Sequence, residues 1–146
     1  MLIDQTAPAD MAHLHALLEA VDRICQAAGA DRAFHADLRL AVEEALVNVI
    51  RHGHADLPEG KLRLTLNWAP WEGRPAVRAD IRDQGRAFNP LEYAAYDMTT
   101  GAEDRPIGGL GVLLMRQLTD AQAWQHGAEQ GNHLTLVKFL PATPVA

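Results

Sequence analysis

The chain changes its hydrophobic period near residue 60, and this change constrains the fold more than any other feature of the sequence. In two early segments, residues 9–28 and 32–52, apolar side chains recur at steps of three and four. That spacing places them on one face of an α-helix, which predicts two amphipathic helices. Asp10 and Asp31 are the candidate N-caps, because their carboxylates can accept hydrogen bonds from unpaired backbone N–H groups, and Gly29 separates the two helices.

After residue 60 the sequence follows the period of β-strands. Residues 61–68 alternate polar with apolar side chains, residues 76–83 do so again, and the proline-containing segment 70–75 between them is typical of a turn. Residues 121–125 and 133–140 form a second pair of predicted strands around a glycine-containing turn. We therefore expect two β-hairpins.

One more helix and one irregular segment lie between the predicted hairpins. Residues 109–118 begin with glycine and continue as an apolar helical stretch, whereas residues 85–108 follow no period, so we expect a long, lid-like loop there. The element order predicts an α+β, two-layer sandwich, in which about three helices cover one face of a mostly antiparallel sheet. Residues 1–140 are expected to form a single domain, and residues 141–146, with two prolines, a loose tail.

Composition limits the classes of partner. The chain has 146 residues, a size suited to one domain, and its net charge of −6 with scattered Lys and Arg residues argues against direct nucleic-acid binding. Its single cysteine, Cys25, cannot form an internal disulfide, and no apolar run approaches the roughly 20 residues of a membrane span. With no signal-peptide pattern after Met1, we expect a cytoplasmic protein without a membrane partner.

Glu44 and Asn48 are the first candidate functional pair. They lie four residues apart on the second predicted helix, so their side chains share one face at the border of its apolar stripe. An amide oxygen is a suitable ligand for Mg²⁺, and a carboxylate beside it can orient or deprotonate an attacking hydroxyl. Taken alone, the pair is also typical of a solvated helix face.

Two further segments have the chemistry of a nucleotide site. Asp83 and Gly85 follow the second predicted strand, where a carboxylate can accept a hydrogen bond from an exocyclic amine such as that of adenine, and a glycine lets a flat ring approach the backbone. Gly109, Leu110 and Gly111 begin the third predicted helix, where free backbone N–H groups and the helix dipole favour an anion. An ordinary turn and a flexible helix start are the alternative interpretations.

The order of these three segments resembles the nucleotide site of the GHKL ATPases, the superfamily of gyrase, heat-shock chaperones, histidine kinases and mismatch-repair proteins. The helical Glu-Asn pair resembles their N box, the Asp-x-Gly segment their first glycine box and the Gly-x-Gly segment their second. Within that superfamily, residues 41–53, 83–91, 109–115 and 131–136 are similar to bacterial anti-sigma regulatory factors with serine/threonine kinase activity. The resemblance covers residues 9–140.

The resemblance implies a role for each matching position. Glu44 would be the catalytic residue that activates the acceptor hydroxyl. The positions that bind ATP and its metal would be Asn48 for Mg²⁺, Asp83 for the adenine amine, Gly85 for the space around the base, Thr135 for the adenine pocket, and Gly109, Leu110 and Gly111 for the phosphates.

The resemblance also implies the partners. In this family the domain binds a sigma factor, or uses Mg-ATP to phosphorylate a Ser or Thr of an anti-anti-sigma protein of the STAS type. The phosphorylated partner then dissociates from the domain. We therefore expect a partner-switching regulator with kinase activity, and a homodimer contact near the first helix.

One departure from the family pattern keeps a second hypothesis open. Kinase members usually carry an arginine in the middle of the first helix, and here that position falls near Leu18, with Arg23 further along. Arg51 or Arg105 would have to supply the charge instead, since phosphoryl transfer depends on positioning and electrostatics. The alternative is a catalytically silent nucleotide-binding module that sequesters a protein partner. A histidine-kinase catalytic domain and a scaffold without nucleotide are the less favoured interpretations.

Overall fold

The computed structural model describes residues 1–53, 60–92 and 109–142. Over these residues it has three α-helices, α1 (Leu14–Ala27), α2 (Arg32–Asn48) and α3 (Gly109–Leu118). The strands there are β1 (Leu2–Pro8), β2 (Lys61–Trp71), β3 (Arg74–Asp83), β4 (Ala121–Gly127) and β5 (Gly131–Phe139). Short 3₁₀ turns lie at Met11–His13 and Pro90–Glu92, and a π-helical turn, Val49–Gly53, follows α2.

The strands pair antiparallel in one sheet, in the order β1-β2-β3-β5-β4. The first hairpin is formed by β2 and β3, and the second by β4 and β5. β5 also pairs with β3, so that Asp83 at the end of β3 lies opposite Asn132 near the start of β5. The helices pack on one face of this sheet. The expected α+β sandwich is confirmed.

Sheet and helices pack together because each turns an apolar stripe toward the other. In β2, Leu62, Leu64 and Leu66 are buried, whereas the residues between them are exposed or half-buried. The apolar faces of α1 and α2 pack into the same core, and α3 adds Val112 and Met115. Removing this apolar surface from water is the main stabilising contribution to such a fold.

The predicted cap of the second helix agrees with the structure, whereas α1 begins at Leu14, later than predicted, because Asp10 caps the 3₁₀ turn Met11–His13 before it. Asp31 Oδ1 accepts a hydrogen bond from the backbone N–H of Phe34 at 2.8 Å, and Asp10 Oδ1 accepts one from the N–H of His13 at 3.1 Å. Between the helices, Gly29 has a φ of 66°, a left-handed conformation that glycine adopts without a Cβ clash. The second helix is shorter than predicted, because α2 ends at Asn48 and the chain continues as the π-helical turn.

β1 is an element that the hydrophobic pattern does not predict. It forms an edge of the sheet and pairs with β2, with Ile3 opposite Leu66. Its side chains alternate between exposed and half-buried, so the strand contributes no fully buried residue. An edge strand of this kind gives a weak local signal, and only its pairing with β2 identifies it.

The first hairpin is longer than predicted. β2 and β3 continue through Pro70 and Pro75, which pair with each other, so the turn narrows to Glu72 and Gly73. Both turn residues have positive φ, at 51° and 77°. Two-residue turns of this kind match the right-handed twist of the flanking strands, which explains why the hairpin tolerates the two prolines near its tip.

α3 is held at its C-terminal end by side chains. Lys138 Nζ donates a hydrogen bond to the carbonyl of Leu118 at 2.8 Å, and Thr119 Oγ1 donates one to the carbonyl of Met115 at 2.6 Å. The last carbonyls of a helix lack intrahelical partners, and these bonds satisfy two of them. The bond from Lys138, which lies in β5, also joins the end of α3 to the sheet.

Part of the predicted lid can be placed. Residues 85–92 are described and contain one 3₁₀ turn, whereas residues 93–108, which include Arg105, and tail residues 143–146 lie outside the described part of the chain. Among the helices of the described residues, none has the length and apolar content to cross a membrane.

The core of α2 offers a matched test of the packing. Leu38 is fully buried and Leu40, two residues further along the same helix, is 37% exposed. We expect Leu38→Ala to lower the free energy of unfolding by about 2–5 kcal/mol, because it leaves a cavity. Leu40→Ala should lower it by less than about 1 kcal/mol. Urea unfolding followed by circular dichroism measures both, and equal losses would contradict the described packing of α2.

Candidate functional site

The structure brings the first and third candidate segments into contact. α2 packs against α3, and Gly111 of α3 lies against the carboxyl group of Glu44. A Cβ added at Gly111 would lie 2.5 Å from Glu44 Oε2, closer than real Cβ atoms come. Glycine is therefore required here for the present position of the Glu44 carboxyl group beside the first turn of α3.

The environment of Glu44 disfavours its charged form. Burial raises the pKa of the Glu44 carboxyl group, and the neighbouring Glu43 charge raises it further. The positive charge of Arg51, in the π-helical turn, acts in the opposite direction on this pKa. A carboxyl group with a raised pKa next to a helix N-terminus is a candidate for proton transfer.

Asn48, the last residue of α2, is only 6% exposed. Its amide nitrogen is buried and has no hydrogen-bond partner among the residues that the structure describes. A buried donor without an acceptor costs about 1–3 kcal/mol, so such a group is uncommon in a folded protein. The π-helical turn that follows is a form of helix often found at functional sites.

The second candidate segment forms a compact polar turn. Asp83 is 5% exposed, and its Oδ1 accepts a hydrogen bond from the backbone N–H of Gly85 at 2.9 Å. The same oxygen accepts a second hydrogen bond from Asn132 Nδ2 at 3.1 Å. The carboxylate is thus fixed by its own turn and by the neighbouring strand.

Contacts between this turn and the end of α2 join the second segment to the first. The rings of His52 and Phe88 stack with their centroids 4.9 Å apart and 16° between the planes. Arg86 Nε donates a hydrogen bond to the carbonyl of His52 at 3.0 Å. These contacts hold the chain after Asp83 against the turn that follows Asn48.

Thr135 is the predicted site residue that the structure does not bring into this cluster. Its hydroxyl donates a hydrogen bond to Asp80 Oδ1 at 2.9 Å, and Thr135 pairs with Asp80 across the sheet. Successive side chains of a strand point to opposite faces, and Thr135 is three residues from Asn132. It therefore lies on the face of the sheet away from the helices, and we correct its expected place in the adenine pocket.

Asn132 is the site residue that reasoning from the sequence missed. It is 4% exposed and contacts Asp83 directly. The signal that would have found it is the strand register, because the residue opposite Asp83 in a β3–β5 pair can reach the carboxylate. Registers between strands that are distant in sequence are not visible in local patterns.

The burial of Leu18 shows that the first helix offers no charge at the position where kinase members usually carry an arginine. Leu18, at the position where an arginine was expected, is 3% exposed and belongs to the core. Arg23 is exposed on α1. Arg51 is the described arginine whose charge acts on Glu44.

These observations fit a bound nucleotide and metal. The buried amide nitrogen of Asn48 lacks an acceptor, which an oxygen atom of a ligand would supply, whereas the amide oxygen is the atom that could bind Mg²⁺. The first turn of α3 offers backbone N–H groups without intrahelical partners. Gly111 removes the side chain that would fill the space beside Glu44. An amide, a carboxyl group and backbone donors together form a donor set for Mg²⁺ and phosphate oxygens.

Comparison with known families matches residues 7–138 to the histidine kinase-like ATPase domain. The chain belongs to this family. Membership implies a site for ATP, and it confirms both the family resemblance and the fold expected from the sequence.

The relatives of this ATPase-type domain include kinases and an anti-sigma factor. It is 31% identical over 99 residues to the serine/threonine-protein kinase BtrW of Bordetella bronchiseptica. This aligned region covers 68% of the chain and 66% of BtrW. It is 27% identical over 104 residues to the anti-sigma F factor of Bacillus subtilis, with 71% and 68% of the two chains covered. The domain thus spans slightly less than two thirds of the length of BtrW.

A solved structure shows the same fold. The RsbU and RsbW domains of Rv1364c from Mycobacterium tuberculosis superpose with a TM-score of 0.68 at 22% identity, and the match covers 100% of this chain and 35% of that one.

The raised pKa of Glu44 predicts that the difference in stability between the parent protein and Glu44→Gln depends on pH. Its unfolded-state pKa is near the ordinary value of 4.5, and the folded-state pKa lies above it. The folded state therefore binds more protons between these two values, so the free energy of unfolding falls as pH rises through that window. We expect Glu44→Gln to be more stable than the parent at pH 7, and the difference to disappear below about pH 4.

Urea unfolding at a series of pH values measures this difference. Glu129→Gln, which removes the same charge from an exposed turn, controls for net charge. A Glu44→Gln variant whose stability gain is the same at pH 4 and pH 7 would contradict the inferred desolvation of Glu44.

Proposed function

We propose that this domain binds Mg-ATP and transfers its γ-phosphoryl group to a Ser or Thr of an anti-anti-sigma protein of the STAS type, as a partner-switching anti-sigma regulator. The observation that carries the proposal is the packing of Glu44 against Gly111, one turn along α2 from the unpartnered amide nitrogen of Asn48. A proton acceptor, a metal ligand and a helix N-terminus then lie at one place.

Each residue of the site has a stated task in this proposal. Asn48 holds Mg²⁺, the N-terminal turn of α3 with Gly109, Leu110 and Gly111 donates backbone N–H groups to phosphate oxygens, and Gly85 leaves room for the base. Mg-ATP supplies the phosphoryl group and the charge neutralisation.

Glu44 and Asp83 have the two tasks that decide rate and selectivity. Glu44 accepts the proton of the attacking hydroxyl, for which its raised pKa is an advantage, because a base acts best when its pKa approaches the working pH. Asp83 accepts a hydrogen bond from the exocyclic amine of adenine.

The names of the relatives support the proposed class of protein partners. BtrW is named a serine/threonine-protein kinase and the Bacillus protein an anti-sigma F factor. Both kinds of regulator fit a small ATPase-type domain that alternates between a phosphoacceptor partner and a sigma factor.

A second candidate function is a silent nucleotide-binding module that sequesters a protein partner without catalysis. The burial of Leu18 in the core favours it, because an apolar core residue cannot supply charge at the γ-phosphate. Arg51, whose charge acts on Glu44, is the described residue that would replace that charge in the kinase.

Nucleotide binding is the first test. Isothermal titration with ATP and Mg²⁺ should show saturable binding, and Asp83→Ala should weaken it about ten- to hundredfold, because a hydrogen bond to a charged group is lost. Asp4→Ala is the matched control, since Asp4 forms an ion pair with Arg63 on the edge of the sheet. An absence of heat with the parent protein would reject the nucleotide site.

Phosphoryl transfer separates the two candidate functions. With ATP labelled on its γ-phosphate and purified STAS-type proteins of the source organism as acceptors, we expect Glu44→Gln to reduce transfer about 10²–10⁴-fold, because the general base is lost. Its ATP affinity should stay within about threefold of the parent. Tight ATP binding by the parent without transfer to any acceptor would support the silent module.

A further inference from the structure

Asn132 connects several parts of the candidate site. The two N–H groups of its Nδ2 are shared among three acceptors, Asp83 Oδ1 at 3.1 Å and the carbonyls of Gly85 and Arg86 at 3.3 and 2.9 Å. Its Oδ1 accepts a hydrogen bond from the backbone N–H of Phe88 at 3.2 Å. One buried amide therefore binds the Asp83 carboxylate and three points of the chain that follows it.

The backbone around Asn132 leaves this side chain little freedom. The preceding Gly131 has a φ of 72°, and a Cβ at that residue would lie 2.1 Å from the carbonyl oxygen of Asp83. Gln84 Nε2 also donates a hydrogen bond to the carbonyl of Gln130 at 3.1 Å. The start of β5 is thus pressed against the end of β3, which fixes where the Asn132 amide points.

An amide is suited to this place because it offers donors and an acceptor without a net charge. The donor side meets a carboxylate and two carbonyls, and the acceptor side meets an N–H group. A carboxylate at the same position would face Asp83 with like charge. An apolar residue would leave four polar groups, two of them in buried hydrogen bonds, with one partner fewer.

We propose that Asn132 is a positioning residue that orients the Asp83 carboxylate and holds the turn 85–88 in place. This orientation sets the preference of the site for adenine over bases that carry a keto group. The proposal rests on the proposed nucleotide site. A fixed carboxylate accepts a hydrogen bond from the amine of adenine, whereas the keto oxygen of hypoxanthine presents an acceptor to the same carboxylate. Selectivity of this kind depends on rigid placement, because a carboxylate that can turn away avoids the mismatch.

The test compares the dissociation constants of ATP and ITP, which differ in the base and share the triphosphate. For the parent we expect ITP to bind about ten- to hundredfold more weakly than ATP. In Asn132→Ala the affinity for ATP should fall and the affinity for ITP should fall less, so that the ratio drops to about threefold or below. Asn67→Ala, which changes the same residue type on the opposite face of the sheet, should keep the parent ratio.

The ratio distinguishes positioning from a general loss of structure. A variant that is merely destabilised loses affinity for both nucleotides equally, and an unchanged ratio in Asn132→Ala would overturn the inference. If that variant does not fold, Asn132→Ser keeps a small polar side chain without charge and removes the amide donors, and the same loss of ratio is expected. A parent that binds ATP and ITP equally would overturn the inference alone, whereas a parent that binds neither would reject the proposed function together with it.

Discussion

The packing of α2 is the constraint on which both the core and the candidate site depend. One face of this helix is buried against the sheet and α1 over most of its length, from Phe34 to Leu46. The same helix carries Glu44 and Asn48 at its C-terminal end, where it meets α3. Because the apolar stripe fixes the rotation of the helix, it also fixes the direction of the two polar side chains on its border.

Two carboxyl groups, Asp80 on the outer face of the sheet and Glu44 on the helix side, have pKa values shifted in opposite directions. On the outer face, burial would raise the pKa of Asp80, but hydrogen bonds from Arg78, His133 and Thr135 outweigh it and lower that pKa. On the helix side, the pKa of Glu44 is raised by burial. The cluster around Asp80 is internally satisfied, as expected for a structural network. The region around Glu44 retains a buried donor at Asn48 without a partner among the described residues.

Much of the fold and part of the site could be predicted from local patterns. The helices α1, α2 and α3, the two hairpins and the caps at Asp10 and Asp31 follow from periods and cap residues within a few positions. The edge strand β1 could not be predicted, because its side chains are at most half-buried and its pairing partner lies about 60 residues away. The face of Thr135 could not be predicted either, since a shift of one residue in register moves a side chain to the opposite face.

The sequence by itself determined the family, the order of the elements and the types of residue available for chemistry, because these are properties of neighbouring residues along the chain. The tertiary structure decided which of those residues meet. It placed Gly111 against Glu44, joined Phe88 to His52 and put Asn132 rather than Thr135 beside Asp83. These contacts link positions between 36 and 67 residues apart, and they depend on helix rotation and strand register, which packing of the whole core selects.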